Sequence, residues 1–333
     1  MSDVNAIIPV AGRGTRLRPH THTQPKVLMN VAGKPILAYI LDELRGLGVE
    51  EVTFIVGHLA DQVEEYVNER YAFRAHFVHQ EEPLGNGHAI YVAREHLTGP
   101  TLIVFGDTIV DADLRAVTKS PYSTIGVHHV DDPRAFGVVE VNGDGFVRHL
   151  WEKPERPPAG LSHIPDMAVV GVYMIREPRP FRAALEEMVA RRQMAKGEYW
   201  LADALQIFID RGGRLGTFPV RNWYDCGTPE ALLRANHALL DAAPAPRRID
   251  GTFVIPPSSI ADTAVVDGSV IGPYVTIGEG AQVVNSILRE SIVNAHAHVE
   301  RVVLEHSIIG ERATVKGRPA RINIGDSSDI EVT

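Results

Sequence analysis

Between Ile271 and Val315, aliphatic residues recur every sixteen positions on three separate rows. Ile271, Ile287 and Val303 form one row; Ile277, Val293 and Ile309 form the second; Val283, Val299 and Val315 form the third. Successive row members stand six residues apart within a repeat, often followed by a small residue, as in Ile277-Gly278 and Ile309-Gly310. A helix repeats about every 3.6 residues and a strand about every two, so neither alone holds this period on three rows. A chain turning through three faces per circuit does. Each coil sets its aliphatic residues on those of the last, and the core grows by one layer per coil. The expected form is a triangular solenoid with three inward-pointing rows. Ile260 and Val266 mark an earlier, less regular coil. From Arg318 onward the repeat is lost, and that tail is expected to cap the last coil.

The preceding residues follow a different pattern. Ala6 to Val10, Val52 to Val56 and Thr101 to Phe105 are continuous apolar runs, as in strands buried on both faces. Between the first two, Ile36, Leu37, Ile40, Leu41 and Leu44 fall at helical spacing, and a further helical stretch runs from Gly87 to Leu97. This alternation predicts an α/β domain, a Rossmann-like, mostly parallel sheet with helices on both faces. Ligands in that architecture bind beyond the C-terminal ends of the strands. The proline-containing stretch from Asp241 to Asp250 separates the two patterns. The expected organisation is therefore a first domain over 1–240, a linker over 241–250 and a solenoid over 251–333.

With 333 residues, two domains are the prior. A net charge of -9 argues against nonspecific nucleic-acid binding, so any phosphate site must come from local basic residues. No run of eighteen apolar residues and no signal-peptide pattern is present, so neither a membrane span nor secretion is expected. A single cysteine, Cys226, rules out an internal disulfide and fits a reducing cytoplasm.

The first strand empties into Ala11-Gly12-Arg13-Gly14-Thr15-Arg16-Leu17-Arg18-Pro19, and Pro25-Lys26 follows. A glycine-rich loop leaving a strand can wrap backbone N–H groups around phosphates. Arg13, Arg16, Arg18 and Lys26 add charged donors. The spacing is neither that of the P-loop nor Gly-x-Gly-x-x-Gly. It resembles the signature of sugar-1-phosphate nucleotidyltransferases, Gly-x-Gly-Thr-Arg-Leu-x-Pro followed by Pro-Lys. Later segments resemble that family in order: Gln80-Glu81-Glu82-Pro83-Leu84-Gly85, Gly106-Asp107, Phe136-Gly137, Trp151-Glu152-Lys153-Pro154, Gly171-Val172-Tyr173, Lys196-Gly197-Glu198 and Trp223-Tyr224-Asp225-Cys226-Gly227-Thr228. The solenoid resembles the left-handed parallel β-helix of hexapeptide-repeat proteins.

The resemblance implies transfer of a nucleotidyl group from an NTP to a sugar 1-phosphate, with release of diphosphate. It assigns catalysis to Arg16, Lys26, Asp107 and Asp225, with Mg²⁺ held by Asp107 and Asp225. Nucleotide binding falls to Ala11, Gly12, Gly14, Thr15, Arg16, Gln80 and Gly85. Sugar-phosphate binding falls to Gly137, Glu152, Lys153, Tyr173 and Lys196. Two carboxylates at strand ends suit a Mg²⁺ that keeps several waters. Read alone, Gly-Asp is also a turn, and Asp225 could cap a helix starting near Thr228. The Gln80 amide carries both a donor and an acceptor, matching the O4/N3–H edge of thymine or uracil. The following Asn86-Gly87-His88-Ala89 departs from the shorter family pattern. The preferred reaction is dTTP with glucose 1-phosphate. The alternatives are uridylyl transfer from UTP, guanylyl transfer to mannose 1-phosphate, and a noncatalytic nucleotide-sugar sensor. A bifunctional enzyme using His296, His298 or His306 for acetyl transfer is also open. A homo-oligomer is expected, because coil ends and flat faces are exposed.

Overall fold

The computed structural model describes residues 4–318, and the cap expected beyond Arg318 lies outside them. The chain divides into two compact units. One holds residues up to 30 and 34–235; the other holds 31–33 and the chain from 236.

The first unit is built on a nine-stranded mixed sheet. Its early strands are β1 (Asn5–Pro9), β2 (Glu51–Val56), β3 (Arg74–His79) and β4 (Thr101–Val104). They lie in the order β3-β2-β1-β4 and all run parallel. A two-stranded ribbon pairs β5 (Thr108–Asp111) with a later strand. The sheet continues through β6 (Ser123–His129), β7 (Gly137–Val141), β8 (Val147–Glu152) and β9 (Met167–Ile175). Strand β9 runs antiparallel to β4, β6 and β7, so the parallel half gives way to an antiparallel one. Strand β10 (Leu215–Pro219) returns parallel to β6, and β11 (Asn222–Asp225) is the partner of β5.

The continuous apolar runs arise because both faces are covered. Ile8, Phe54 and Leu102 point into one core with helix α1 (Ile36–Gly46) and α2 (Ala60–Arg70). Ile7, Ile55 and Ile103 point into the other, with α3 (Asn86–Val92). That second core also takes in Phe181 from a helix over Pro178–Ala190 and Leu205 from a helix over Leu201–Asp210. The five apolar positions predicted for α1 are all buried. The stretch expected to be helical to Leu97 instead ends its α-helix at Val92 and continues as a 3-10 turn over Arg94–His96.

The second unit carries three four-stranded parallel sheets, one per face, as in a left-handed parallel β-helix. Two predicted rows point inward as expected. Ile260, Ile277, Val293 and Ile309 stack in register, as do Val266, Val283, Val299 and Val315. The remaining row is corrected. Ile271 lies opposite Leu288, seventeen residues on, and Leu288 lies opposite Leu304. The inward row is therefore Ile271, Leu288 and the half-buried Leu304, whereas Ile287 and Val303 face outward at 41% and 74% exposure. Asn236 belongs to this same unit. It is buried, accepts from the Thr276 hydroxyl at 2.6 Å and donates to the Tyr274 carbonyl at 3.2 Å.

Candidate active site

Loops at the C-terminal ends of β1, β3 and β4 meet over the sheet of the first unit. They border two cavities, of about 330 and 490 Å³. Asp107, Lys153, Asn86 and Phe105 line both. The smaller cavity is bounded by Ala11, Gly12, Lys26, Gln80 and Gly85. The larger one is bounded by Arg16, Gly137, Glu152, Tyr173 and Asp225.

The β5–β11 ribbon explains how two aspartates 118 positions apart in sequence share one site. Its register sets Asp225 opposite Thr108, next to Asp107, and the Cys226 N–H donates to the Asp107 carbonyl at 3.3 Å. Asp225 is not the cap of the following helix. The Ala231 N–H goes to the Thr228 hydroxyl at 3.2 Å, which leaves the Asp225 carboxylate available. Arg16 stands across Gly227 from Asp225: a methyl on Gly227 would lie 2.6 Å from Arg16 Nη2 and 3.0 Å from Asp225 Oδ1.

Lys26 is 7% exposed, and its Nζ donates to Asp107 Oδ2 at 2.6 Å. Burial alone would raise the Asp107 pKa, but the adjacent ammonium outweighs it and holds the carboxyl below its ordinary range. Cys226 is buried and its thiol is pushed up to about 12, mainly by desolvation, so it has no thiolate to offer as a nucleophile.

Glu152 closes β8, opposite Gly137. A methyl on Gly137 would sit 3.0 Å from Glu152 Oε2, so glycine leaves this carboxyl reachable from the cavity. Desolvation, reinforced by Asp203 and Glu198 and opposed by Lys153, pushes the Glu152 pKa up to about 7. Folding therefore favours its protonated form. The associated stability is present below the ordinary value of 4.5 and is lost as pH rises toward 7. The loss is on the order of 3 kcal/mol. Glu152→Gln should accordingly raise the melting temperature relative to the parent at pH 8 and leave it unchanged at pH 4. Equal shifts at both pH values would show that Glu152 ionises normally.

Lys153 follows in the left-handed region at φ 45°, held by its N–H to the Phe136 carbonyl at 3.1 Å. Its Nζ lies 3.8 Å from Glu152 Oε1 and 4.7 Å above the Trp200 ring. Tyr173 is buried beside Phe105, with its pKa raised chiefly by desolvation.

Three expected site residues line neither cavity. Gly14, at φ 59°, turns the loop, and a methyl there would meet Thr21 Cγ2 at 2.9 Å. Thr15 opens a 3-10 turn on the surface. Lys196 is exposed, pairs with Glu155 at 2.9 Å, and borders a shallow depression beside Lys153 and Pro154. Conversely, the cavity walls include Glu198, Trp200 and Trp223, which were not among the expected site residues; His88 lines neither cavity but touches Gln80. Glu198 and Trp223 fall within motif segments that assigned them no role, Trp200 follows one of them, and His88 sits in the stretch that departs from the family pattern.

Two of the three candidate histidines of the coils have surface partners. His306 pairs with Glu290 at 3.0 Å, and His298 lies between Gln282 and Glu300. Among the described residues no helix is long and apolar enough to cross a membrane.

Residues 5–242 match the nucleotidyl transferase family model. The chain is 29% identical to a glucose-1-phosphate thymidylyltransferase of Streptomyces antibioticus, over 99% of both chains. It is 30% identical to one of Streptomyces griseus, over 99% of this chain and 100% of that one. It is also 30% identical to a UTP–glucose-1-phosphate uridylyltransferase of Haloferax volcanii, over 68% of this chain and 93% of that one. A solved UDP-glucose pyrophosphorylase bound to UDP-glucose shares the fold, with a TM-score of 0.61 and 23% identity over 72% of this chain and 99% of that one. The chain belongs to the nucleotidyl transferase family, as a sugar-1-phosphate nucleotidyltransferase that carries a C-terminal hexapeptide β-helix.

Proposed function

We propose that the chain joins dTTP to glucose 1-phosphate, giving dTDP-glucose and diphosphate. The observation that carries this reading is the meeting of two cavities at Asp107 and Lys153. The smaller cavity, bordered by the Ala11-Gly12 loop and Gln80, takes the nucleotide; the larger takes the sugar phosphate. The choice of dTTP rests on the two Streptomyces thymidylyltransferases matched over their whole length. UTP is the nearest alternative, on the Haloferax relative.

In this reading two anions must be brought together, so the chemistry is mainly positioning and charge neutralisation. Lys153 lies between the two ligands and pairs with the sugar phosphate. Lys26 borders the nucleotide cavity and faces the triphosphate as a compact charge, while Arg16, on the wall of the larger cavity, clamps the reacting phosphate bidentately. The sugar phosphate oxygen attacks the α-phosphorus, the bond to the β-phosphate oxygen breaks, and diphosphate leaves. No protein nucleophile takes part. Glu152 accepts from sugar hydroxyls. Asp107 and Asp225 fit a Mg²⁺ site: they are hard oxygen donors brought to one end of a ribbon. Among the described residues no third ligating side chain joins them, which suits an ion that keeps water and phosphate oxygens. When bound, Mg²⁺ would neutralise triphosphate charge.

The test is diphosphate release from five NTPs against a panel of sugar 1-phosphates. Preference for dTTP with glucose 1-phosphate is expected. Preference for GTP with mannose 1-phosphate would overturn the substrate choice.

We also propose a homo-oligomer. Phe253, Val270, Ile287 and Val303 stand in register on one outer face of the coils, the first at 77% and the last at 74% exposure. An outer apolar row of this kind, with only Val270 half-buried, favours association. A monomer by light scattering would overturn it.

A further inference from the structure

We infer that His88 is a positioning residue: its Nδ1 locks the Gln80 side-chain amide so that a carbonyl oxygen is what the nucleobase meets. The inference rests on the nucleotide occupying the smaller cavity, which Gln80 lines.

Two contacts fix the amide. Its nitrogen lies 3.1 Å from the Gly85 carbonyl oxygen and 3.2 Å from His88 Nδ1. A backbone carbonyl only accepts, so the atom facing Gly85 must be the NH₂ group rather than the oxygen. One amide hydrogen goes to Gly85. The other is directed at His88, whose Nδ1 must then carry a lone pair, placing the ring proton on Nε2. Burial favours this neutral ring, lowering the His88 pKa against the opposing pull of Glu82. The ring packs beside Tyr91 and Tyr199, each with its centroid 6.1 Å away.

With both N–H groups engaged inside the protein, Oε1 remains for the ligand. The expected use of the Gln80 amide as both donor and acceptor toward the base is therefore revised: its donor half is already engaged. An acceptor in that place pairs with the N3–H of thymine or uracil and meets the bare N3 lone pair of cytosine unfavourably. Discrimination comes from the mismatch as much as from the bond, since a buried acceptor left against another acceptor loses its partner. A histidine eight residues after the glutamine thus selects which half of an amide is read.

The first measurement needs no substrate. In ¹⁵N-histidine-labelled full-length protein, His88 should show an unprotonated Nδ1 and a protonated Nε2. A proton on Nδ1 would overturn the proposal. The second compares variants for the NTP that the panel finds preferred. Asn places an oxygen close to where histidine carries Nδ1, whereas Phe keeps the ring and offers no acceptor. His88→Phe should raise the NTP KM by about tenfold or more, with kcat changed less, and His88→Asn should recover most of it. Equal impairment in both, or none in either, would overturn the lock. If the phenylalanine variant fails to fold, the spectroscopic result still decides. The third uses base analogues. N3-methyl-UTP should lose far more kcat/KM than 4-thio-UTP; the reverse order would mean that Gln80 donates to O4. If the panel shows neither UTP nor dTTP in use, the substrate reading falls, while the tautomer measurement still judges the lock.

Discussion

Asp225→Asn should abolish nearly all nucleotidyl transfer, a fall of about a thousandfold or more, while the protein melts close to the parent temperature. The substitution keeps shape and removes charge at a carboxylate that neither caps the following helix nor forms an ion pair among the described residues. Asp107→Asn should lose activity to a similar degree and destabilise as well. Lys26 is almost wholly buried, and its Nζ holds Asp107 Oδ2 at 2.6 Å. The amide still accepts that hydrogen bond but no longer offsets the charge. A cost of about 1–3 kcal/mol follows from weakening a charge-assisted bond to a buried ammonium. Turnover assays with calorimetry separate the two. Near-parent activity in both variants would remove the metal assignment; identical melting of the two would mean that the Lys26–Asp107 pair contributes nothing to folding.

The second large effect is at Gly85. Its φ is 100°, where a side chain is strained, and a methyl there would lie 2.5 Å from the Tyr199 carbonyl oxygen and 2.9 Å from Glu198 Cβ. The obstacle is backbone, not the free end of a side chain. The loop has little room to retreat because Tyr199 N–H donates to the Leu84 carbonyl, Gly87 N–H to the Tyr199 carbonyl and Leu201 N–H to Asn86 Oδ1, all at 2.8–2.9 Å. Gly85→Ala should cost about 3 kcal/mol or more and raise the NTP KM at least tenfold, because the same loop bears on Gln80. Gly143→Ala is the control: a methyl there meets nothing within 4 Å. Urea unfolding of the two variants gives the comparison. Equal stability would show that the 84–87 loop moves freely away from Tyr199.

Much of this was legible in the sequence, for identifiable reasons. Buried parallel strands read as unbroken apolar runs because Ile7 and Ile8 enter different cores. The coil period was legible on two rows. It misled on the third because Ile287 and Leu288 are both aliphatic, as are Val303 and Leu304, and spacing cannot say which of two neighbours points inward. The seventeen-residue step from Ile271 to Leu288 decides it, and only strand pairing reveals that step. At the site, Asp107 and Asp225 were legible as strand-end carboxylates. Their proximity depends on an antiparallel ribbon with no spacing signature. Lys196 had the expected neighbours in sequence, yet a turn at φ 53° sends it to the rim, where Glu155 holds it. His88 was invisible as a partner of Gln80 because the chain doubles back through Gly85 to bring them together.

The wall shared by the two cavities carries a consequence for the order of events. Asn86, Phe105, Asp107 and Lys153 belong to both; with one substrate in each cavity, as proposed, whichever arrives first settles side chains that the second must also use. The entropy of arresting Lys153 is then charged once, to the earlier ligand, and the later one binds a surface already set. On the proposed direct transfer, with no enzyme-bound nucleotidyl intermediate, both substrates must be present before any bond changes. Initial-rate lines for varied NTP at fixed sugar phosphate will therefore intersect rather than run parallel, and each substrate will lower the apparent dissociation constant of the other by the same factor.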